Sequence, residues 1–142
     1  MPRRSLILDA NILIRSVLGR RVRNVISNQS GIVGFVVPVA CVAEAERGLK
    51  GIYRRRGLPE IEAALALLDE TQTLITVLPQ EHYSPFRDEA LARIGRRDPD
   101  DWHVLAAALA IDCPIWTEDH DFFGTGVATW TTDRVELFFR NL

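Results

Sequence analysis

Carboxylates crowd the start of one of the most apolar stretches of the sequence, the segment RRDPDDWHVLAAALA at residues 96–110. Proline suits the first position of a helix, so Pro99 makes Asp98 the N-cap and places Asp100 in the first turn. Acidic groups in the first turn complement the helix dipole by about 0.3–1 kcal/mol each. Helix capping therefore accounts for Asp98 and largely for Asp100.

Asp101 is less easily explained by capping. At about 100° per residue, its side chain projects from the same side of the helix as Leu105 and Ala108, the side that must meet the sheet. A carboxylate held there needs hydrogen bonds, a cation or a raised pKa. We therefore interpret Asp101 as a functional residue.

In a second acidic pair, Glu44 and Glu46, one residue is again a candidate for a site and the other has an ordinary structural explanation. The side of the predicted helix that carries Glu44 is otherwise formed by small residues that permit close packing, Ala40, Cys41 and Gly48. Glu46 points elsewhere and has Lys50 four residues later, which is the spacing of a solvated ion pair. Glu44 is the candidate for a site, and Glu46 is predicted to lie on the surface.

Further acidic residues follow predicted strands. Asp9 ends the first strand, and capping of the next helix, shared with Asn11, explains it locally as well as a functional role does. Asp119 and Asp121 follow Thr117 at the end of the fourth predicted strand, and each is also placed to cap the short turn DFF. Taken singly, none of these acids is decisive. Taken together, four strand-end or inward-facing carboxylate sites form a pattern that capping does not explain.

Clustered carboxylates repel one another, so they take up protons or bind cations. Mg²⁺ and Mn²⁺ prefer oxygen ligands, whereas a site without several Cys or His residues argues against structural zinc. His82, His103 and His120 are too dispersed to form a ligand set, and His103 is predicted to be a surface residue facing away from Asp101. A carboxylate-bound divalent ion suits phosphodiester hydrolysis, because it neutralises the scissile phosphate and acidifies a bound water.

The elements that must position these residues alternate between strands and helices. The predicted strands cover residues 5–9, 34–38, 73–79, 114–117 and 127–130. The predicted helices cover residues 11–29 with an interruption near Gly19, 39–50, 60–70, 80–95, 99–111 and a last segment from Asp133, with a loop at 51–60. This order predicts an α/β fold, a three-layer α/β/α sandwich in a single domain of residues 1–142, around a mainly parallel sheet of four to five strands. Ligands of such sheets gather beyond the carboxyl ends of the strands.

The composition is that of an ordinary globular protein, with 142 residues, 47% hydrophobic and 25% charged residues, and a net charge of −2. This balance does not by itself indicate nucleic-acid binding, although sixteen of the seventeen basic residues are arginines. Cys41 and Cys113 are predicted to be small buried thiols in a reducing compartment. The chain meets Asp9 and Arg15 too early for a signal peptide, and it has no apolar run of the ~20 residues that span a membrane, so we expect a cytoplasmic protein.

Four segments resemble the PIN-domain superfamily and, within it, the single-domain VapC-type toxin ribonucleases. They are LILDANIL, VAEAERGL, DDWHVLAAALA and IWTEDHDFFG. The segments occur in the family order with similar intervals and span nearly the whole chain. A PIN-like fold is what this resemblance implies.

The resemblance also implies which residues act. The family's metal-binding acids fall on Asp9, Glu44, Asp101 and Asp119. Accessory positions of the T-x-D-x-D-F segment fall on Thr117 and Asp121, of which Asp121 is a further candidate metal ligand, and we add Asn11 as an accessory residue. The implied activity is Mg²⁺- or Mn²⁺-dependent cleavage of RNA by an activated water, leaving a 5′-phosphate and a 3′-hydroxyl. The implied partners are a small VapB-like antitoxin and a second copy of the chain.

Arginines near these acids are candidates for binding RNA phosphates. Arg15 follows Asp9 shortly, and Arg96 and Arg97 immediately precede the acidic turn. The segment YRRRG at 53–57 is predicted to lie in a loop, where it fits a solvated surface, an RNA contact or an acidic partner equally well.

Two other Mg²⁺-binding α/β folds are excluded by their need for a lysine late in the chain, since Lys50 is the only lysine. These are the receiver-type phosphoacceptor domains and the haloacid-dehalogenase-like phosphatases. Two alternatives to a ribonuclease stay open, a PIN-like nuclease acting on DNA or structured nucleic acid, and a non-catalytic binding module with the same fold.

Overall fold

The computed structural model describes residues 4–140 and has a five-stranded, all-parallel sheet at its centre. The strands are β1 (Arg4–Leu8), β2 (Val33–Pro38), β3 (Thr76–Leu78), β4 (Ile115–Trp116) and β5 (Thr129–Trp130). Their order in the sheet is β3-β2-β1-β4-β5. The predicted α/β/α sandwich with a sheet of four to five strands is therefore confirmed, and every strand pair is parallel.

Seven α-helices cover the sheet within residues 4–140. They are α1 (Ala10–Leu18), α2 (Arg21–Gln29), α3 (Val39–Arg56), α4 (Ile61–Gln72), α5 (Arg87–Ile94), α6 (Trp102–Ile111) and α7 (Val135–Arg140). Helix α1 packs on α2, α3 and α4, whereas α6 packs on α5 and on strands β1, β2 and β4. The predicted interruption near Gly19 separates α1 from α2.

The core is built from the central strands, which read as continuous apolar runs because both faces of the sheet are covered. Leu6, Ile7 and Leu8 of β1 are all 0% exposed, and Leu6 lies opposite Phe35 of β2. The small side chains of α6 at residues 106–108 are also buried, so that this helix lies close to the sheet.

The strand order creates a crevice at the carboxyl end of β1. The chain leaves β1 toward β2 on one side and later returns as β4 on the other side. In open α/β sheets such a change of direction opens a crevice beyond the strand ends, where ligands bind. Asp9 directly follows β1, and Thr117 directly follows β4.

The prediction of a loop at 51–60 is wrong for its first half, because α3 continues to Arg56. Gly51 does not interrupt this helix, and the last turn carries Arg54, Arg55 and Arg56, whose charges complement the helix dipole. The helix ends at Gly57, which has φ +60° in the left-handed region that glycine tolerates best. The arginines of the segment YRRRG therefore lie on a helix end.

The predicted helix at 80–95 is also wrong in its first half. Residues 80–86 form two 3₁₀ turns, Gln80–His82 and Ser84–Phe86, and α5 begins only at Arg87. Pro85 has no N–H to donate and disfavours helical backbone before it, so a continuous helix is interrupted there. The strands β3, β4 and β5 are shorter than predicted. Helix α4 extends two residues past its predicted end, to Gln72, and residues 73–75, predicted as the start of β3, form a turn.

Both cysteines are free thiols, with Cys41 buried and Cys113 partly buried. Among residues 4–140, no helix combines the length and the apolar character that crossing a membrane requires.

Candidate metal centre

Asp9 is the most enclosed acid at the carboxyl edge of the sheet, with 6% of its surface exposed. As the N-cap of α1 it accepts a hydrogen bond from the backbone N–H of Ile12 at 3.0 Å on Oδ1, and its Oδ2 accepts one from the Thr117 hydroxyl. Burial raises the pKa of Asp9 to about 6, against the lowering effect of these two bonds, and the nearby charges of Asp119 and Glu44 raise it further.

The Thr117 side chain joins two strand ends through one hydroxyl. Its Oγ1 donates to Asp9 Oδ2 and accepts the backbone N–H of Asp119 at 2.9 Å. The residue is 1% exposed, so water does not replace these partners. Thr117 therefore fixes the orientation of Asp9 and the path of the chain into Asp119.

Asp119 begins an acidic 3₁₀ turn, His120–Phe122, and caps it, since its Oδ1 accepts the backbone N–H of Asp121 at 2.9 Å. Arg97 reaches across from the chain before α6 and donates to the backbone carbonyls of Asp121 and Phe123. The turn that carries two candidate ligands is thereby held from both sides.

Asp101 ends the short 3₁₀ turn Pro99–Asp101 that leads into α6, and Asp98 caps this turn by accepting the N–H of Asp100 at 3.0 Å. The Oδ2 atom of Asp101 is buried and has no hydrogen-bond partner in the described part of the chain. Burial raises the pKa of Asp101 to about 7, with further increases from Asp119, Asp98, Asp121 and Asp9, in decreasing order.

Asp101, Asp119 and Asp121 each offer a carboxylate oxygen, and the three oxygens lie within 4.8 Å of one another. Three mutually repelling carboxylates, one with an orphaned buried oxygen, are the donor set that a hard divalent cation satisfies. These residues fit Mg²⁺ or Mn²⁺ through oxygen ligands.

A small cavity of about 40 Å³ connects this group to the other predicted acids. Its lining includes Asp9, Asn11, Glu44, Asp100, Asp101, His103 and Asp119. The structure therefore brings Asp9, Glu44, Asp101 and Asp119 to one cavity, with Asn11 beside them. The tight group contains three of the five predicted metal ligands, Asp101, Asp119 and Asp121, and omits Asp9 and Glu44.

Glu44 lies at the rim of this cavity on α3 and is exposed as a residue. Partial burial of its carboxylate raises its pKa, Arg47 lowers it, and the charges of Asp98 and Asp100 raise it. The predicted ion pair between Glu46 and Lys50 is not formed, although both residues are described, and Glu46 is half-buried rather than exposed.

The prediction that His103 is a surface residue facing away from Asp101 is wrong. His103 is half-buried, lines the cavity, stacks on Trp102 with ring centroids 3.9 Å apart, and lies with Nδ1 2.8 Å from the Tyr83 hydroxyl. Burial lowers its pKa, and the nearby charge of Asp100 raises it. The position on the helix does not decide the exposure of this side chain, because the Tyr83 hydroxyl and the Trp102 ring hold the imidazole against the fold. No sequence signal pointed to Tyr83 as its partner.

The three arginines predicted to contact RNA differ in their surroundings. Arg97 holds the acidic turn, whereas Arg96 is exposed. Arg15 lines a separate cavity of about 510 Å³ whose wall also includes Arg20 and Glu118, the residue between Thr117 and Asp119.

Comparison with known proteins places this arrangement in context. A family model described as PIN domain matches residues 7–140. No curated protein matches the sequence significantly. The fold is similar to that of a protein from Pyrobaculum aerophilum, with a TM-score of 0.72 and 15% identity over 99% of this chain and 91% of that one.

Two complexes provide further likenesses of fold. One is VapBC2 from Rickettsia felis bound to a DNA fragment from its promoter, with a TM-score of 0.66 and 13% identity over 89% of this chain and 98% of that one. The other is FitAcB from Neisseria gonorrhoeae, with a TM-score of 0.62 and 20% identity over 89% of this chain and 97% of that one.

Proposed function

Because the chain belongs to the PIN domain family, we propose that it is a nuclease, and specifically a metal-dependent endoribonuclease that hydrolyses RNA phosphodiester bonds. The observation that carries this proposal is the carboxylate of Asp101, which has a buried Oδ2 without a protein partner and offers an oxygen within 4.8 Å of oxygens of Asp119 and Asp121. A divalent cation supplies the missing partner and offsets the repulsion.

Asp101, Asp119 and Asp121 would hold Mg²⁺ or Mn²⁺, with Asp9 and Glu44 completing the site from the adjoining cavity. When bound, the ion supplies positive charge to the scissile phosphate and lowers the pKa of a water molecule. The chain's own contribution is rigidity. Thr117 holds Asp9, and Arg97 holds the turn of Asp119 and Asp121, so the carboxylates keep their positions when a polyanionic substrate arrives.

RNA is the proposed substrate because the chain resembles the toxin ribonucleases in the motifs that carry these acids. Arg15 and Arg96 are proposed to contact phosphates flanking the scissile bond, since both are exposed arginines on segments adjoining the acids. One structure of similar fold is a toxin–antitoxin complex from Klebsiella pneumoniae, and another is VapBC2 from Rickettsia felis. We therefore propose a VapB-like antitoxin as a partner. We also propose that the protein forms a homodimer and lies in the cytoplasm, and that residues 1–142 form one domain.

Cleavage of a mixed RNA panel by the purified protein tests this function, with Mg²⁺, Mn²⁺ or EDTA. The Asp9→Asn and Asp101→Asn variants are compared with Asp112→Asn, a matched control at the other end of α6. Asp112 has φ +60°, a conformation that Asn also adopts readily. Cleavage that requires the metal, is lost in the first two variants and persists in the control is the expected result.

Other outcomes select among the alternatives. Folded protein that cleaves DNA or structured nucleic acid but not single-stranded RNA would be a nuclease of a different specificity. Folded protein, freed of co-purified partners, that binds nucleic acid without cleaving it under any condition would be a binding module. Cleavage that survives both substitutions would indicate a contaminant and remove support for the site.

A further inference from the structure

The proton of the Tyr83 hydroxyl fixes how His103 is oriented and protonated. Tyr83 is 0% exposed, so its O–H needs an acceptor within the protein. His103 Nδ1 lies 2.8 Å from the hydroxyl oxygen. The reverse arrangement, with Nδ1–H donating to Tyr83, would leave a buried O–H with no acceptor among the described residues.

Burial raises the pKa of Tyr83 to about 12, so the hydroxyl keeps its proton at neutral pH. The Tyr83 O–H therefore donates to His103 Nδ1. The Nδ1 atom of His103 is then an acceptor, and the proton of the neutral ring resides on Nε2.

The Nε2 atom of His103 has no protein partner and is not among the buried orphaned atoms, so it is accessible to solvent. The residue lines the cavity that also contains Asp9, Asp101 and Asp119. A phosphodiester offers only hydrogen-bond acceptors, so it must receive its hydrogen bonds from donors of the protein. Ionised carboxylates cannot supply them, because they too only accept. Among the side chains that line this cavity, the hydrogen-bond donors are His103, Asn11 and the thiol of Cys41.

We propose that His103 is a further substrate-contacting residue of this site, which donates a hydrogen bond from Nε2–H to a non-bridging oxygen of the scissile phosphodiester. This inference rests on the proposed function. Tyr83 is then a positioning residue, which acts through the His103 ring, and the stack on Trp102 fixes the plane of that ring. The bond stabilises the charge that grows on phosphate oxygens during hydrolysis.

The first test reads the tautomer directly by long-range ¹H–¹⁵N NMR of the imidazole rings. Wild-type protein is expected to show His103 protonated at Nε2 alone, and the Tyr83→Phe variant to populate the Nδ1–H tautomer as well. Addition of a short mixed-sequence RNA with Ca²⁺ is expected to shift the Nε2–H resonance of His103 and not that of His82, which lies outside the cavity. A wild-type ring protonated at Nδ1 would overturn the proposal.

The second test compares two substitutions that place an amide at different ring positions. His103→Gln puts an N–H donor near the Nε2 position, whereas His103→Asn puts one near Nδ1. We expect His103→Asn and His103→Phe to lower kcat by at least about tenfold with a smaller change in KM. His103→Gln should recover much of that loss, and His82→Gln should match the wild type. Thermal melts establish that each variant is folded.

The outcomes separate this inference from the proposed function. If the wild type cleaves RNA and the Gln, Asn and Phe variants are equally active, the proposed role of His103 is overturned and the nuclease function stands. A wild type that binds RNA without cleaving it leaves the Nε2–H shift as the deciding observation, and an unchanged resonance on bound RNA would refute the contact. A wild type that neither binds nor cleaves RNA refutes both.

Discussion

At the scale of single residues, Asp101 is the group whose ionisation opposes folding most directly. Its pKa is raised from the ordinary aspartate value to about 7, mainly by burial and secondarily by neighbouring acids. Between roughly pH 4 and 7 the folded chain therefore holds a proton that the unfolded chain has released. The contribution of Asp101 to stability is greatest below that range and falls as the pH rises through it.

Asp101→Asn is accordingly expected to stabilise the metal-free protein at pH 8 and to leave its stability at pH 4 almost unchanged. The gain should be about 1 kcal/mol after allowance for solvent screening of a partly exposed group. Urea denaturation in EDTA at both pH values measures it, with Asp112→Asn as the control. An Asn variant less stable than the wild type at pH 8 would show that the carboxylate has a favourable partner that the structure lacks.

A substitution of Thr117 is expected to destabilise the protein, in contrast to Asp101→Asn, because the Thr117 hydroxyl satisfies polar groups that would otherwise lack a hydrogen-bond partner. Thr117→Val keeps the shape of the side chain but leaves Asp9 Oδ2 and the Asp119 N–H without a partner. We expect the free energy of unfolding to fall by about 1–3 kcal/mol and cleavage activity to fall with it. Thr117→Ser restores the hydroxyl and should recover most of both quantities. Equal loss in the Ser and Val variants would contradict this role of the hydroxyl, because Ser retains it.

At the scale of elements, the end of α3 depends on one backbone conformation. Gly57 has φ +60°, and a Cβ added there meets no atom within 4 Å. Gly57→Ala therefore tests backbone strain alone, and we expect it to cost about 1 kcal/mol. Gly31→Ala is the matched control, since it is equally open and lacks a left-handed φ. Thermal melts of the two variants should differ by several degrees, and identical melts would refute the cap.

The same helix shows how far the sequence predicts the elements. Its start after Pro38 and the side that carries Glu44 follow from local pattern, whereas its end was predicted too early, before Gly51. Gly57 is the left-handed residue, and the arginines before it and Pro59 after it are signals that commonly end a helix. The site follows a similar division. Local pattern singled out Asp101 over Asp100, whereas the turn that brings Asp121 into the tight group depends on Arg97 reaching across the fold.

At the scale of the whole molecule, the strand order explains why residues distant in sequence are in contact. Asp9 and Thr117 are hydrogen-bonded because β1 and β4 are neighbours in the sheet, although most of the chain separates them in sequence. A sequence that alternates strands and helices predicts a parallel sheet but does not give the order of its strands. The convergence of four acids was predictable from their places at strand ends or on inward-facing sides of helices, and their mutual distances were not.

Binding of a divalent cation is therefore expected to stabilise the entire fold, because the ion joins α6 to the turn after β4. At 100 times the dissociation constant the gain should be about 2.7 kcal/mol, which raises Tm by roughly 2–4 °C per kcal/mol in a protein of this size. Thermal melts with Mg²⁺ or Mn²⁺ against EDTA measure the shift, and Asp101→Asn and Asp119→Asn should abolish it.

The same stabilisation is expected to depend on pH with a defined sign. Asp101 and Asp9 have pKa values raised to about 7 and about 6, so protons compete with the cation below pH 7. The rise in Tm caused by the ion should therefore be larger at pH 8 than at pH 6 in the wild type, while Asp112→Asn should behave as the wild type does. A metal-induced rise that is the same at both pH values would mean that the ion binds away from these two carboxylates. A rise that survives Asp101→Asn would place it outside the carboxylate group altogether.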